Sequence, residues 1–281
     1  MNKDILLRFK DSEKFFICPI CKKSFILYKN SLICTNKHCF DISKYGYVNF
    51  VSYTRQQKNY DKQSFENRKI ILESGFYSHI LNKIIEILKH MDTVKTILDV
   101  GCGEGFYSRQ ISELTDKNMI GFDISKDSIQ LAAKSDQNHS VKWFVGDLTK
   151  LPLQDHSIDG ILDIFSPANY EEFHRILTDN GYLIKIIPGN DHLKELREKA
   201  KEYLKNKEYS NQRIITYMKQ YFSVICQKKV TASFKISSKE REIFIHMTPL
   251  LFHVDKEKID WTDVDCLTIE AEILIGRVMT S

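Results

Sequence analysis

The chain has 281 residues, 42% hydrophobic and 28% charged, which matches an ordinary globular protein with one sizeable core and a small satellite module. It has no apolar run of about 18 residues or more, and its opening MNKDILLRFKDSEK lacks a secretory signal's apolar run and small-residue cleavage site. Neither a membrane-spanning helix nor a secretory signal is expected on this reading, and a cytoplasmic location is. The net charge of +4 is unevenly spread: residues 1–70 hold 14 Lys and Arg against 6 Asp and Glu, the rest 27 against 31. A basic N-terminal quarter suits a module for a polyanion such as nucleic acid, and a solvated basic face is the reading that charge alone does not separate from it.

Residues 1–50 read as a zinc-binding module. Four of the seven cysteines crowd between Cys18 and Cys39, while Cys102, Cys226 and Cys266 are scattered. In a reducing compartment such crowding favours a metal over disulfides. Cys18-Pro-Ile-Cys21 is followed by twelve residues and then Cys34-Thr-Asn-Lys-His38-Cys39. Two tight turns of this kind each supply one edge of a tetrahedron, so Cys18, Cys21, Cys34 and His38 are the expected ligands of a structural Zn2+, with Cys39 the rival for the fourth place. A module this small needs metal-binding free energy to fold. Between the pairs, Phe25 to Tyr28 and Ser31 to Ile33 flank Lys29-Asn30 and read as a hairpin. Tyr45, Tyr47 and Phe50 either pack a small core or stack on exposed bases.

Residues 51–93 read as a basic linker followed by helices. Thr54 to Gln63 is polar and without apolar periodicity, and Arg55, Lys58, Lys62, Arg68 and Lys69 are candidate phosphate contacts in RNA binding. Helical patterning starts near Phe65 and breaks at Ser74-Gly75; a second helix, from Tyr77 to about His90, carries a broad apolar stripe.

From residue 94 the pattern is that of a doubly wound, Rossmann-like α/β sheet running to residue 281. Thr96 to Asp99 is an apolar strand that ends in an acid and meets Gly101, Gly103 and Gly105, with Tyr107 opening a helix. A dinucleotide fingerprint is G-x-G-x-x-G, whereas here the spacing is G-x-G-x-G behind a carboxylate. A negative charge there repels a pyrophosphate and suits a ligand bearing an ammonium and a sulfonium, which is S-adenosyl-L-methionine. Twenty-four residues after Asp99, a second strand ends in Asp123-Ile124, placed to accept the ribose hydroxyls. A third strand ends in Gly146-Asp147-Leu148, suited to the adenine edge. The competing reading makes these acids helix caps, and Asp123 is able to do both. Ser157 to Asn169 reads as a fourth strand and its loop, in which Phe165, Ser166 and Pro167 either shape an acceptor pocket or form a packing turn. Gly181 to Ile187 is the fifth strand, after a helix from about Glu171 to Leu177. Leu193 to Tyr209 reads as a charged amphipathic helix, Phe222 to Phe234 and Thr268 to Val278 as strands, and Lys239 to Thr248 as the link between them.

The motifs together resemble the bacterial large-subunit ribosomal RNA guanine-N1 methyltransferases of the RlmA type, over nearly the whole chain. The resemblance rests on Cys18 and Cys21, the Cys34 to His38 spacing, Gly46-Tyr47-Val48-Asn49, Arg68 within Phe65-Glu-Asn-Arg-Lys, and Glu73-Ser-Gly-Phe-Tyr77. Further along it rests on Leu98-Asp-Val-Gly-Cys-Gly-Glu-Gly, Phe165-Ser-Pro167 and Met247-Thr-Pro249. It implies a class I methyltransferase that methylates guanine N1 in a ribosomal RNA stem-loop, with zinc in the N-terminal module and room for a homodimer. Lys69 stands where many members have a second arginine, which bears on the nucleotide chosen. The N1 proton needs an acceptor, and Asp61 and Asp163 are the candidate catalytic carboxylates. A small-molecule methyltransferase and a non-catalytic zinc-dependent RNA-binding protein are the alternatives, because the same cofactor fold serves metabolites.

Overall fold

The computed structural model describes residues 3–51, 62–204 and 210–279. The chain opens with a short helix, α1 (Lys3–Leu7), and a three-stranded antiparallel ribbon of β1 (Phe25–Tyr28), β2 (Ser31–Cys34) and β3 (Cys39–Asp41). As expected, Lys29-Asn30 closes the β1–β2 hairpin, with Lys29 in the left-handed region at φ 53°. β4 (Tyr47–Asn49) leaves the ribbon, and two helices follow, α2 (Lys62–Glu73) and α3 (Ser78–Lys89).

Next come β5 (Thr96–Val100), α4 (Phe106–Leu114), β6 (Asn118–Asp123), α5 (Lys126–Ser135), β7 (Lys142–Val145), β8 (Ile158–Ile164), α6 (Tyr170–Ile176) and β9 (Leu177–Pro188). The chain ends with α7 (Lys194–Ala200), α8 (Gln212–Met218), β10 (Phe222–Lys235), α9 (Ser238–Met247) and β11 (Cys266–Val278). The main sheet has the order β10-β11-β9-β8-β5-β6-β7-β4, and all its strands run the same way except β11, which is antiparallel to both its neighbours β10 and β9. Successive strands β5, β6 and β7 run to one side, and the chain then crosses over to lay β8 against β5. The order reverses there, and a ligand crevice opens at the carboxyl ends of β5 and β8.

Strands buried on both faces read as continuous apolar runs, and β5 is buried at every position. Alternate residues feed two cores. Ile97, Leu162 and Ile184 point to one, with α3, α4 and α5; Leu98, Ile161 and Leu183 point to the other, with α6 and α8. Over β6 and β7 the ribbon takes the place of a helix on the second face. Phe16 stands 5.4 Å and Phe50 5.8 Å, ring to ring, from Phe144 of β7, and Phe25 stacks on Phe50 at 5.8 Å. Tyr47 and Phe50 are therefore core residues.

Three expectations change. A division at residue 50 puts Tyr47–Asn49 with the ribbon, yet β4 pairs in parallel with β7 and is the edge of the main sheet. Of the helix expected over residues 193–209, α7 ends at Ala200 and residues 205–209 lie outside the described residues; α8 is a separate helix that begins after Asn211. The expected link from Lys239 to Thr248 is helix α9, begun by a capping box in which Ser237 and Glu240 satisfy each other's backbone N–H. Among the described residues no helix is long and apolar enough to cross a membrane.

Candidate functional site

The two cysteine turns of the ribbon are built alike. Lys22 N–H donates to Cys18 O and Lys37 N–H to Cys34 O, both at 2.8 Å, and each lysine is left-handed (φ 60° and 63°). This brings Cys18, Cys21, Cys34 and His38 together, one ligand atom each, all within 4.8 Å of one another. His38 Nδ1 is 3.5 Å from Cys18 Sγ and 3.4 Å from Cys34 Sγ, and Cys21 Sγ is 3.6 Å from Cys34 Sγ. Sulfurs about 2.3 Å from zinc stand about 3.8 Å apart on a tetrahedron, so three thiolates and one imidazole at these spacings fit that ion with no open position. Cys39 lies outside the cluster: it begins β3, is exposed, and its Sγ faces Asp41 Oδ1 at 3.8 Å.

The glycine turn after β5 holds all three glycines at positive φ (61°, 57° and 78°). A Cβ at Gly105 would lie 2.5 Å from Trp143 Cη2 and 2.8 Å from Ala132, so only glycine lets α4 start this close to the sheet. At Gly103 the nearest atom to such a Cβ is Arg68 Nε at 3.9 Å, which leaves the turn open for a ligand. Asp99 is 3% exposed and accepts a 2.6 Å hydrogen bond from Ser108 Oγ; burial pushes its carboxyl up to about 7. Asp123 ends β6, where Oδ2 accepts from Gly103 N–H (3.1 Å) and Oδ1 from Ser125 N–H (2.8 Å). It braces the glycine turn and the start of α5 while ionised oxygens keep lone pairs for hydroxyl donors. Ile124 beside it is half-buried. Asp147 Oδ1 accepts from Thr149 N–H and Oγ–H, and Leu148 O accepts from Asn169 Nδ2 at 3.3 Å.

Next to the turn lies a cavity of about 390 Å³. Tyr107, Ser166 and Arg68 belong to its wall and to the surroundings of the glycine turn alike, and Met247 to Leu250 close one side. Phe165 contributes an aromatic face from a left-handed backbone (φ 53°) at the carboxyl end of β8. Such strain in a bulky residue concentrates at functional sites.

Asp163 is fully buried, with Oδ2 held at 2.7 Å by Lys185 Nζ and Oδ1 accepting from Ser166 Oγ at 2.9 Å. Both its oxygens are engaged by that pair, and it is not among the residues that line the cavity. Asp61, Arg55 and Lys58 lie outside the described residues. Lys62 is exposed and pairs with Glu66 at 3.5 Å. Arg68 Nε lies 3.6 Å from buried Glu104, and Arg68 lines the cavity. Lys69 is tied to Ser135 Oγ (2.9 Å) and Glu73 (3.7 Å). Sequence reasoning did not pick out Lys185, His192 or Arg197, which also line the cavity. The available signal was a lysine inside the apolar strand Leu183-Ile-Lys-Ile-Ile187, which a buried strand tolerates only with a partner.

Two families match: "RlmA, N-terminal" over residues 16–58 and "Methyltransferase domain" over residues 92–245. A Bacillus subtilis protein named as 23S rRNA (guanine-N(1)-)-methyltransferase YxjB is 34% identical over 276 residues, covering 93% of this chain and 96% of that protein. The 23S rRNA (guanine(748)-N(1))-methyltransferase of Streptomyces fradiae is 25% identical, covering 89% of this chain and 90% of its own. A chain from the complex of the Haloferax volcanii Trm112 activator with a methyltransferase superposes with a TM-score of 0.54 at 16% identity, covering 80% of this chain and all of that one, a likeness of fold. Ribbon, sheet and glycine turn agree with these similarities, and the chain belongs to the RlmA-type family of 23S rRNA (guanine-N1-)-methyltransferases.

Proposed function

We propose that this protein methylates N1 of a guanine in a stem-loop of large-subunit ribosomal RNA. The observation that carries the reading is the cavity itself, which shares Tyr107, Ser166 and Arg68 with the surroundings of the glycine turn and so lies where an acceptor base would meet a donor held there. Its volume suits one base and not a folded RNA, so the target guanine enters unstacked. Aromatic faces at Phe165 and Tyr77 suit a purine ring, and the cations Arg68, Lys185 and Arg197 suit an acceptor oxygen such as guanine O6.

Gly101, Gly103, Gly105 and Tyr107 would cradle the methionine part of S-adenosylmethionine, with Asp99 facing its ammonium. Asp123 and Ile124 would take the ribose, and Asp147 and Leu148 the adenine. The bound cofactor supplies an electrophilic methyl group. The protein's part is to orient the guanine edge, exclude water and accept the N1 proton. Cys18, Cys21, Cys34 and His38 would hold a structural zinc ion, and Lys62, Arg68 and Lys69, with Arg55 and Lys58, are the proposed RNA contacts. A cytoplasmic homodimer is part of this reading, and light scattering of the purified protein tests the oligomeric state. Nucleoside mass spectrometry of ribosomal RNA from a deletion strain tests the activity. Loss of N1-methylguanosine is the expected result; an unchanged profile with methylation of a metabolite extract would move the assignment to a small-molecule acceptor.

A further inference from the structure

Six residues of the cavity wall carry titratable side chains: Arg68, Tyr77, Tyr107, Lys185, His192 and Arg197. An acceptor for the N1 proton has to hold a free lone pair at neutral pH. The two guanidinium groups and the ammonium group offer donors and no acceptor. Burial pushes Tyr77 up to about 12 and Tyr107 higher still, so both phenols keep their protons. His192 is the one wall residue in this set with an unprotonated nitrogen to offer. Its Nδ1 is buried and has no hydrogen-bond partner among the described residues.

The imidazole is held in place. His192 N–H donates to Gly189 O at 3.1 Å, its carbonyl accepts from Arg197 Nη2 at 3.3 Å, and its ring lies 5.6 Å from Phe165 and 6.2 Å from Tyr77. Leu193, the next residue, is left-handed at φ 51°, as is Phe165 across the cavity at 53°. Two strained non-glycine residues thus fix the facing aromatic and imidazole rings.

We propose that His192 is the general base of the reaction, its Nδ1 receiving the N1 proton of the guanine; this rests on the guanine-N1 reading above. The N1–H electron pair becomes the pair of the new N1–CH3 bond, the S–CH3 pair returns to sulfur, and the proton leaves for solvent through the imidazolium. Burial, with the Arg197 cation beside it, pushes His192 down to about 4; a hydrogen bond to the Glu270 backbone and the Glu270 charge oppose this, and His79 adds to the fall. Arg68 and Lys185 face the same cavity, while Glu270 is occupied by Asp191 N–H, Thr231 and Lys229. The imidazole is therefore neutral and ready at working pH. A weak base suffices because nitrogen becomes far more acidic as the methyl group bonds to it.

The test uses the zinc-loaded full chain with a large-subunit stem-loop RNA, in single-turnover assays of wild type, His192→Gln and His192→Ala. General-base loss should lower the rate of the chemical step about 100- to 10,000-fold. Affinities for the RNA by fluorescence anisotropy and for S-adenosylmethionine by calorimetry should stay within about twofold of wild type. The wild-type rate should be level from pH 6 to 9, whereas that of His192→Ala should rise about tenfold per pH unit, because hydroxide must then remove the proton, and added imidazole should restore part of it. A rate within threefold of wild type, a fall with an unchanged pH profile, or a fall matched by lost RNA affinity would overturn the assignment. Wild-type protein that forms no N1-methylguanosine would sink the functional reading together with this one, and an active wild type with an unimpaired His192→Ala would sink this one alone.

Discussion

The ligand atoms of the zinc ribbon come from one stretch between Cys18 and His38, whereas the wall of the acceptor cavity draws on residues from Arg68 to Leu250. The ribbon is closed, with four ligands around one point and a backbone turn under each pair. The cavity is open, assembled from α2, α4, the ends of β8 and β9, and the segment after α9. A short loop costs little entropy to close, so a metal can organise the ribbon locally. The cavity exists only once the sheet has brought distant segments together. The two regions are nevertheless joined. Arg8, just before the ribbon, has no exposed side-chain surface; it donates to Gly46 O at 2.7 Å and pairs with Asp136 at 3.0 Å. Asp136 also accepts from Trp143 Nε1 at 3.0 Å, and the Trp143 ring packs against Gly105 and Gly121. A path of contacts thus runs from the N-terminal module to the back of the glycine turn.

The comparison breaks first if the metal proves dispensable. Structural zinc sites of this type contribute on the order of 10 kcal/mol at neutral pH. Chelation, or Cys18→Ser, should unfold the ribbon and, through Phe16 and Phe50 on Phe144, lower the melting point of the whole chain by more than about 10 °C. An unchanged thermal transition by circular dichroism after zinc loss would show the ribbon to be an independent appendage.

Arg8→Met sharpens the link between the regions. It leaves Asp136 buried without its cation, an arrangement that costs about 3–5 kcal/mol. Urea denaturation should show a loss of that size, and a loss under about 1 kcal/mol would mean that the two regions are merely adjacent.

Within the cofactor cleft, Gly105→Ala and Gly103→Ala should separate packing from binding. Both positions have positive φ, which strains alanine by about 1–3 kcal/mol. Gly105→Ala adds the clash with Trp143 and should lose more stability; Gly103→Ala should lose proportionately more affinity for S-adenosylmethionine by calorimetry. Equal effects would contradict the division of roles.

The smallest effect is a pH dependence. Burial raises Asp99 to about 7, so from about pH 4 to 7 the folded chain keeps a proton that the unfolded chain releases, and stability of the cofactor-free protein falls as pH rises through that window. A cationic ligand favours the ionised form, so S-adenosylmethionine affinity should weaken as pH drops below about 7, by at most tenfold (about 1.4 kcal/mol) per unit. Asp99→Asn should flatten that slope, and a slope unchanged in the variant would place the titration elsewhere.

The sequence alone determined the zinc ligand spacing, the alternation of strands and helices from residue 94, and the order of strand-end acids Asp99, Asp123 and Asp147. Each of these is written in neighbouring residues: a chelating turn, an apolar period, a glycine cluster after a strand. Tertiary structure decided what depends on distant partners. It turned Cys39 outward along β3 while His38 reached back, inserted β4 into the main sheet, and spent Asp163 on Lys185. It also placed His192, an unremarkable residue after a strand, in the wall of a cavity shared with Arg68 and Tyr77, which lie more than a hundred residues away in the chain. Burial and the identity of a side chain's partner set its charge and its reach, and neither is a property of local sequence.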